Sequence, residues 1–315
     1  VSSTGTAADN ACGAIVEAMT AGTPLLHLTG QIESEHLDRN KGFIHEAPDQ
    51  VGMLGAAGKG AFRVWSADTM LGTLREAVRL AFTPPMGPVS VEIPIDVQKD
   101  LAAMPVSVDP LPVLAPMPDE ASVDALAEAL ADKKRVMLWS GGGARHAGDP
   151  VARLANLGFG IVTSVQGRGV LPGDDNQSLG AFNLQPAAEE FYATCDAILV
   201  VGSRLRSNET LTYKLKLPSP LYQIDADPRA EGRAYPVDMF VCGDSSISLE
   251  MLADRLNGRF TPDKSFSKDI QAAREGAEAG MRKALGPYND VVDAVLDAVP
   301  RDFVWVRDIT LSNTI

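Results

Sequence analysis

Residues 122–145 read SVDALAEALADKKRVMLWSGGGAR, and their order decides the fold class. The first thirteen, 122–134, read as a helix with Ser122 as its N-cap. RVMLWS (135–140) is a short apolar run of strand length, and GGGAR follows it at once. The alternation then continues. A helix over 150–157 leads to the strand FGIVTSV (159–165). AAEEFYATC is helical, and DAILVVGS (196–203) is the most strand-like stretch of the chain. PLYQIDADP (220–228) and MFVCGD (239–244) are further strands, and SISLEMLADRL (246–256) closes the pattern with a helix. Strands alternating with helices predict an α/β fold with a doubly wound parallel sheet and ligands at the strand C-termini.

Working outward, the upstream part repeats the theme. Residues 7–19 place Ala8, Ala11, Cys12, Ile15 and Met19 on one helical face. TPLLHLTG (23–30) reads as a buried parallel strand. Residues 31–60 are polar and glycine-bearing, a long connection with one short helix. AFRV (61–64) is a strand, 67–83 an amphipathic helix that stops before Pro84-Pro85, and GPVSVEIPIDV (87–97) an alternating strand. The proline-rich run 104–122 marks a domain boundary. These readings divide the chain at 1–103, a linker at 104–121, a second domain at 122–257, a connector at 258–286 and a further segment at 287–315. The chain begins inside one α/β unit and ends inside another, so it reads as an internal piece of a longer protein.

Composition narrows the function classes. The 315 residues are 45% hydrophobic and 22% charged, which supports a folded core. The formal net charge of −13 argues against nucleic acid or an anionic membrane as partner, since both call for a basic surface. Cys12, Cys195 and Cys242 are odd in number and far apart, and read as reduced thiols. His27, His36, His45 and His146 are scattered, and no Cys/His cluster has zinc-like spacing. No apolar run approaches the length of a membrane span. The expected setting is cytoplasmic.

Eight segments, in order, resemble the thiamine-diphosphate enzymes of the acetolactate synthase, pyruvate oxidase and benzoylformate decarboxylase type. STGTAADN (3–10) resembles TSGPGATN, and GTPLLHLTGQI (22–32) resembles SVPVLVITGQV. FIHEAPDQVGMLGAAGKGAFRV (43–64) resembles the AFQE…TK…V segment, and PPMGPVSVEIPIDV (84–97) resembles GRPGPVHLDIPKDV. Further on, RVMLWSGGGAR, VTSVQGRGVLPGDDNQSLG, DAILVVGSRL and YQIDADP resemble PVILAGGGA, TTLMGRGAFPEDHPLSLG, ADLLLAVGARF and IHIDIDP. The resemblance covers the whole chain. It implies a partial pyrimidine-binding domain, a complete Rossmann-like central domain and the start of a diphosphate-binding domain.

The resemblance also implies an activity: a thiamine-diphosphate- and Mg2+-dependent lyase or carboligase (a transferase) acting on a 2-oxo acid, with the cofactor as electron sink. It implies a homodimer or homotetramer, because the site of such enzymes is built between subunits. The turn at Gly5 and Thr6, with Asn10 beyond it, would cradle the pyrimidine. Thr6 and Ala7 stand where the family has proline and glycine. Ser312 and Asn313 fall near the diphosphate. The family's activating glutamate and its GDG…N metal motif have no counterpart in these residues, so no metal ligand is expected in this chain, and the piece alone is expected to be inactive. His45 aligns beside a substrate-facing glutamine, where an imidazole would bind a carboxylate or carry a proton. Gln31 matches the GQ pair facing the same region, and Lys59 the TK position. In the central domain, Gly141, Gly142 and Gly143 offer a glycine turn, and Asp225 and Asp227 follow a strand, as in nucleotide sites. Some family members hold FAD or another nucleotide there, although AFNLQP departs from the flavin-type pattern. The competing reading is a nucleotide-binding α/β module or a catalytically inactive homologue.

Overall fold

The computed structural model describes residues 1–300. The chain divides into two compact units, Val1–Pro116 and Met117–Ile315. Both are α/β with parallel sheets only.

The first unit holds α1 (Thr6–Ala21), β1 (Leu25–Gln31), α2 (Gln50–Ala57), β2 (Gly60–Arg63), α3 (Ala67–Phe82) and β3 (Pro88–Pro94). Its sheet runs β1-β3-β2, and Ser2 adds one parallel bridge to Thr29. One face is apolar. Val89 and Val91 of β3 pack with Ala77 and Ala81 of α3, joined by Leu28, Phe62, Leu74 and Ile93. The opposite set is polar and still buried: His27, Thr29 and Gln31 from β1, Ser90 and Glu92 from β3. The period of two along a strand makes this division, since alternate residues share a face. The register aligns His27 with Ser90 and Thr29 with Glu92, so the polar stripe is continuous across the two strands.

The second unit holds α4 (Glu120–Ala131), β4 (Val136–Ser140), α5 (Gly148–Leu157), β5 (Gly160–Thr163), β6 (Ser178–Gly180), α6 (Pro186–Tyr192), β7 (Ala197–Val201), β8 (Leu221–Asp225), β9 (Met239–Cys242), α7 (Ser245–Leu256), α8 (Phe266–Leu285) and α9 (Asn289–Ala298). The strand order is β6-β5-β4-β7-β8-β9. The chain winds outward from β4 in one direction, then from β7 in the other, which is the doubly wound order. Val136 and Leu138 face a core shared with α4, α5 and α7. Met137 and Trp139 face the core that includes Phe191 of α6 and Phe266 and Ile270 of α8. Strands covered on both faces need apolar residues throughout, and β4, β7 and much of β8 supply them.

One expectation is corrected. Ser122 does not cap α4. Asp119 does, accepting the Ser122 N–H at 2.9 Å, because a carboxylate three residues ahead reaches the free amides. The stretch 258–286, set apart in the sequence between the second domain and the 287–315 segment, contains α8, whose Phe266 and Ile270 are buried in the core. Its polar face dominates the sequence there, and the burying residues are few. The three-residue β6 has too little sequence to show a period. Residues 301–315, the end of the segment expected to start a diphosphate-binding domain, lie outside the described residues. All three cysteines are unpaired.

Candidate active site

The turn before α1 lies at the C-terminal end of the small sheet. Gly5 is the N-cap of α1, with φ of 57°, a conformation that favours glycine. A Cβ at this position would overlap the His45 carbonyl. The small residue therefore admits the loop carrying His45, where the sequence suggested the approach of a ligand.

A buried hydrogen-bond network fixes the turn. The Gly5 N–H donates to Gln50 Oε1 at 2.7 Å. Thr4 Oγ1 donates to Gln31 Oε1 at 3.0 Å and to Gln50 Oε1 at 3.4 Å. Gln50 Nε2 donates to the Gly30 carbonyl and to Glu92 Oε2, both at 3.0 Å. Gln31 Nε2 donates to the same Glu92 oxygen at 3.2 Å, and Gln31 Oε1 accepts the Ile32 N–H at 2.8 Å. Arg63 Nε donates to Glu92 Oε1. Gln31 is 4% exposed, and Gln50 and Glu92 are 1% exposed. A buried carboxylate is tolerated when paired and hydrogen-bonded, and here three donors converge on Glu92. Arg63 also faces Asp38 at 3.5 Å and lies 5.1 Å from the Trp65 ring.

A second polar chain runs beneath it. His27 Nε2 lies 2.9 Å from Ser2 Oγ, and Nδ1 lies 3.1 Å from Ser90 Oγ. Ser2 Oγ donates to Thr29 Oγ1 at 2.9 Å, and Thr29 donates to the Ser3 carbonyl at 2.8 Å. Burial holds the His27 imidazole below its ordinary range. Beside the turn is a cavity of about 450 Å³. Ser3, Thr4 and Gln98 give it polar edges, and Leu28, Met70 and Ile93 give it apolar walls.

Of the other predicted residues of this unit, His45 and Asn10 lie near the turn, whereas Lys59 lies at the opposite end of the sheet, its backbone N–H donating to the Pro88 carbonyl at 2.8 Å. His45 is exposed, with φ of 62° and Nδ1 3.4 Å from Thr6 Oγ1. Asn10 is exposed on α1. Lys59 donates to the Leu80 and Thr83 carbonyls, so it satisfies the open end of α3. Burial lowers its pKa.

In the second unit, the glycine triplet is a tight junction. The Gly141 N–H donates to the Val201 carbonyl and the Gly143 N–H to the Gly202 carbonyl, both at 2.9 Å. A Cβ at Gly141 would overlap the Gly202 carbonyl, and one at Gly143 would come within 2.9 Å of Gly202 Cα. Two of the three amides are thus committed to the neighbouring strand end. Gly142 opens only a three-residue 3-10 helix. Asp225 Oδ1 accepts the Asp227 N–H at 2.9 Å, and burial raises its pKa. Burial also acts to raise Asp227, but the hydrogen bonds and charge of Arg229 outweigh it and hold that carboxyl low. Asp227 caps the 3-10 turn at Pro228. Ser312 and Asn313 lie outside the described residues.

Residues 123–252 match the family model of the thiamine pyrophosphate enzyme central domain. Over 318 aligned positions the chain is 30% identical to "Probable 2-ketoarginine decarboxylase AruI" of Pseudomonas aeruginosa, covering 98% of this chain and 55% of that protein. It is 26% identical to acetolactate synthase 1, chloroplastic, of Zea mays, covering 84% of this chain and 42% of that one. A solved structure titled "X-ray structure of a putative thiamin diphosphate-dependent enzyme isolated from Mycobacterium smegmatis" superposes with a TM-score of 0.68 at 27% identity, covering 83% of this chain and 50% of the other. Residues 123–252 are a thiamine pyrophosphate enzyme central domain, and the chain along its length is similar to thiamine-diphosphate-type enzymes. It spans about half the length of the curated relatives it matches.

The cavity beside Thr4 joins apolar walls to polar edges, which suits a heteroaromatic ring carrying an amino group. No group of three or more His, Cys, Asp or Glu side chains among the described residues could hold a metal ion. None of the described helices is long and apolar enough to cross a membrane. Sequence reasoning found Gln31 but missed Thr4, Gln50, Arg63 and Glu92. One signal was legible: Glu92 interrupts the apolar strand VSVEIP, and a charge inside a buried strand needs partners.

Proposed function

We propose that this chain is the pyrimidine-side and central part of an enzyme that uses thiamine diphosphate, with Mg2+, to decarboxylate a 2-oxo acid or pass the resulting fragment to an acceptor. The observation that carries this reading is the Gly5 turn at the end of the small sheet, held by the buried network of Gln31, Gln50 and Glu92. Thiamine diphosphate, when bound, stabilises the carbanion left after carbon dioxide departs. Thr4, Gly5 and Thr6 shape the wall against its pyrimidine, and Asn10 stands one helical turn beyond. His45 reaches out beside the same turn, where its imidazole would bind the substrate carboxylate. Gln31 acts from beneath, through Thr4. Ser312 and Asn313 are assigned to the diphosphate by resemblance alone.

A homodimer or homotetramer in the cytoplasm belongs to this reading. The kinship with a 2-ketoarginine decarboxylase makes a 2-oxo acid with a long cationic side chain the first substrate to try, ahead of pyruvate. FAD or another nucleotide in the central domain has less support, because the Gly141 and Gly143 amides are already bonded to Val201 and Gly202.

Calorimetric titration of thiamine diphosphate with Mg2+ into the full gene product tests the proposal, with carbon dioxide release from a panel of 2-oxo acids beside it. Mg2+-dependent binding and turnover are expected. His45→Ala should raise KM with a smaller change in kcat. Absence of binding would sink the proposal in favour of an inactive homologue or a nucleotide-binding module.

A further inference from the structure

Helix α1 begins without a side-chain cap of its own: Gly5 has no side chain to offer, and the third helical residue is Ala8. A capping box normally supplies Glu or Gln at that third position, and its side chain accepts the N-cap N–H. Here the acceptor comes from another helix. Gln50 is the first residue of α2, and its Oε1 takes the Gly5 N–H at 2.7 Å. Asp49 caps α2, accepting the Gly52 N–H at 2.8 Å, and so fixes the turn from which Gln50 projects. The amide is fully used. Its oxygen holds Gly5 and Thr4, and its nitrogen donates to the Gly30 carbonyl and to Glu92. Only an amide has this combination of one acceptor and two donors at that length.

We infer that Gln50 is the positioning residue of the glycine turn, setting the backbone that the cofactor's pyrimidine meets while touching no cofactor itself. The inference rests on the proposed function, which assigns that turn to the pyrimidine. A glutamate at 50 would keep the acceptor for Gly5 but lose both donors, and would set a second carboxylate against Glu92. A leucine would leave the Gly5 N–H, the Gly30 carbonyl and one Glu92 oxygen short of partners, and unpaired buried polar groups are costly. Either change releases the turn.

The test uses two ligands on the full gene product: thiamine diphosphate, and a thiazole diphosphate that lacks the aminopyrimidine. With Gln50→Leu or Gln50→Glu, affinity for thiamine diphosphate should fall about tenfold or more, as expected for about 1.4 kcal/mol or more of lost alignment. Affinity for the thiazole diphosphate should not change. Hydrogen exchange should quicken in residues 2–8 and stay unchanged in β4 and β7. Thr4→Val, which removes only a hydroxyl from the network, should show a smaller loss in the same direction and serves if the Gln50 variants fold poorly. Adding Glu92→Gln to Gln50→Glu should recover part of the affinity, since the pair again holds one amide and one acid. Equal losses for both ligands, or no loss for either, would overturn the inference. Should the unaltered protein bind thiamine diphosphate no better than the thiazole diphosphate, the assignment of the turn to the pyrimidine fails first.

Discussion

The two sheets of this chain bury their strands in opposite ways. In the six-stranded sheet, β4 and β7 are sealed on both faces by aliphatic and aromatic side chains. In the three-stranded sheet, β1 and β3 give one face to an apolar layer and the other to histidine, threonine, glutamine, serine and glutamate. Apolar burial is non-directional and tolerant, so it holds a scaffold. A buried polar stripe is demanding, because each group must find its partner, and it specifies where backbone and side chains sit. The small sheet accepts that demand where the glycine turn has to be held. The large sheet does not, and its glycine turn is held by backbone bonds to a neighbouring strand end.

Substitutions that cut each kind of support separate the two roles. Glu92→Ala takes one buried acceptor from Arg63 and from two glutamine amides. Breaking a buried pair costs about 3–5 kcal/mol, so the first unit should lose protection in hydrogen exchange and thiamine diphosphate binding should vanish. Leu138→Ala opens a cavity in the large sheet at about 2–5 kcal/mol. It should lower the urea midpoint, yet leave cofactor affinity per folded molecule unchanged; a matching loss of affinity would break the distinction. Gly141→Ala forces a methyl group against Gly202, with an overpacking cost of about 1–3 kcal/mol. That loss should again appear in stability, without a selective loss of nucleotide binding.

The smallest expected effect is a pH dependence confined to the first unit. Burial lowers the His27 pKa from the ordinary 6.5. As pH falls through that value, the unfolded chain takes up the proton before the folded chain does. Stability should therefore decline from about pH 6.5 downward and level off below the folded pKa. Urea midpoints at about pH 8 and about pH 5 should differ less in His27→Gln.

The contrast also explains what could be read from the residues alone. DAILVVGS and RVMLWS announce buried strands because their burial rests on composition, which is local. The order β6-β5-β4-β7-β8-β9 follows from alternation with helices. The turn at Gly5 was legible as a turn, and Gln31 as a neighbour. Gln50 was not, because it acts over 45 positions of sequence and looks like the polar start of any helix. Lys59 and Asp227 look like chemistry in the sequence, yet they cap a helix end and a turn. Ser122 has the residue type of a cap, but the carboxylate of Asp119, three residues ahead, accepts its N–H and ends up as the cap.

One close approach has a practical side for anyone recombining these enzymes. The His45 carbonyl occupies the space that any side chain at position 5 would need. The turn and the loop that carries His45 are therefore two halves of one fitted part. A chimera that imports a new loop onto this turn, or a new turn beneath this loop, would inherit a collision or a gap. Only transplants that carry both segments together keep the joint.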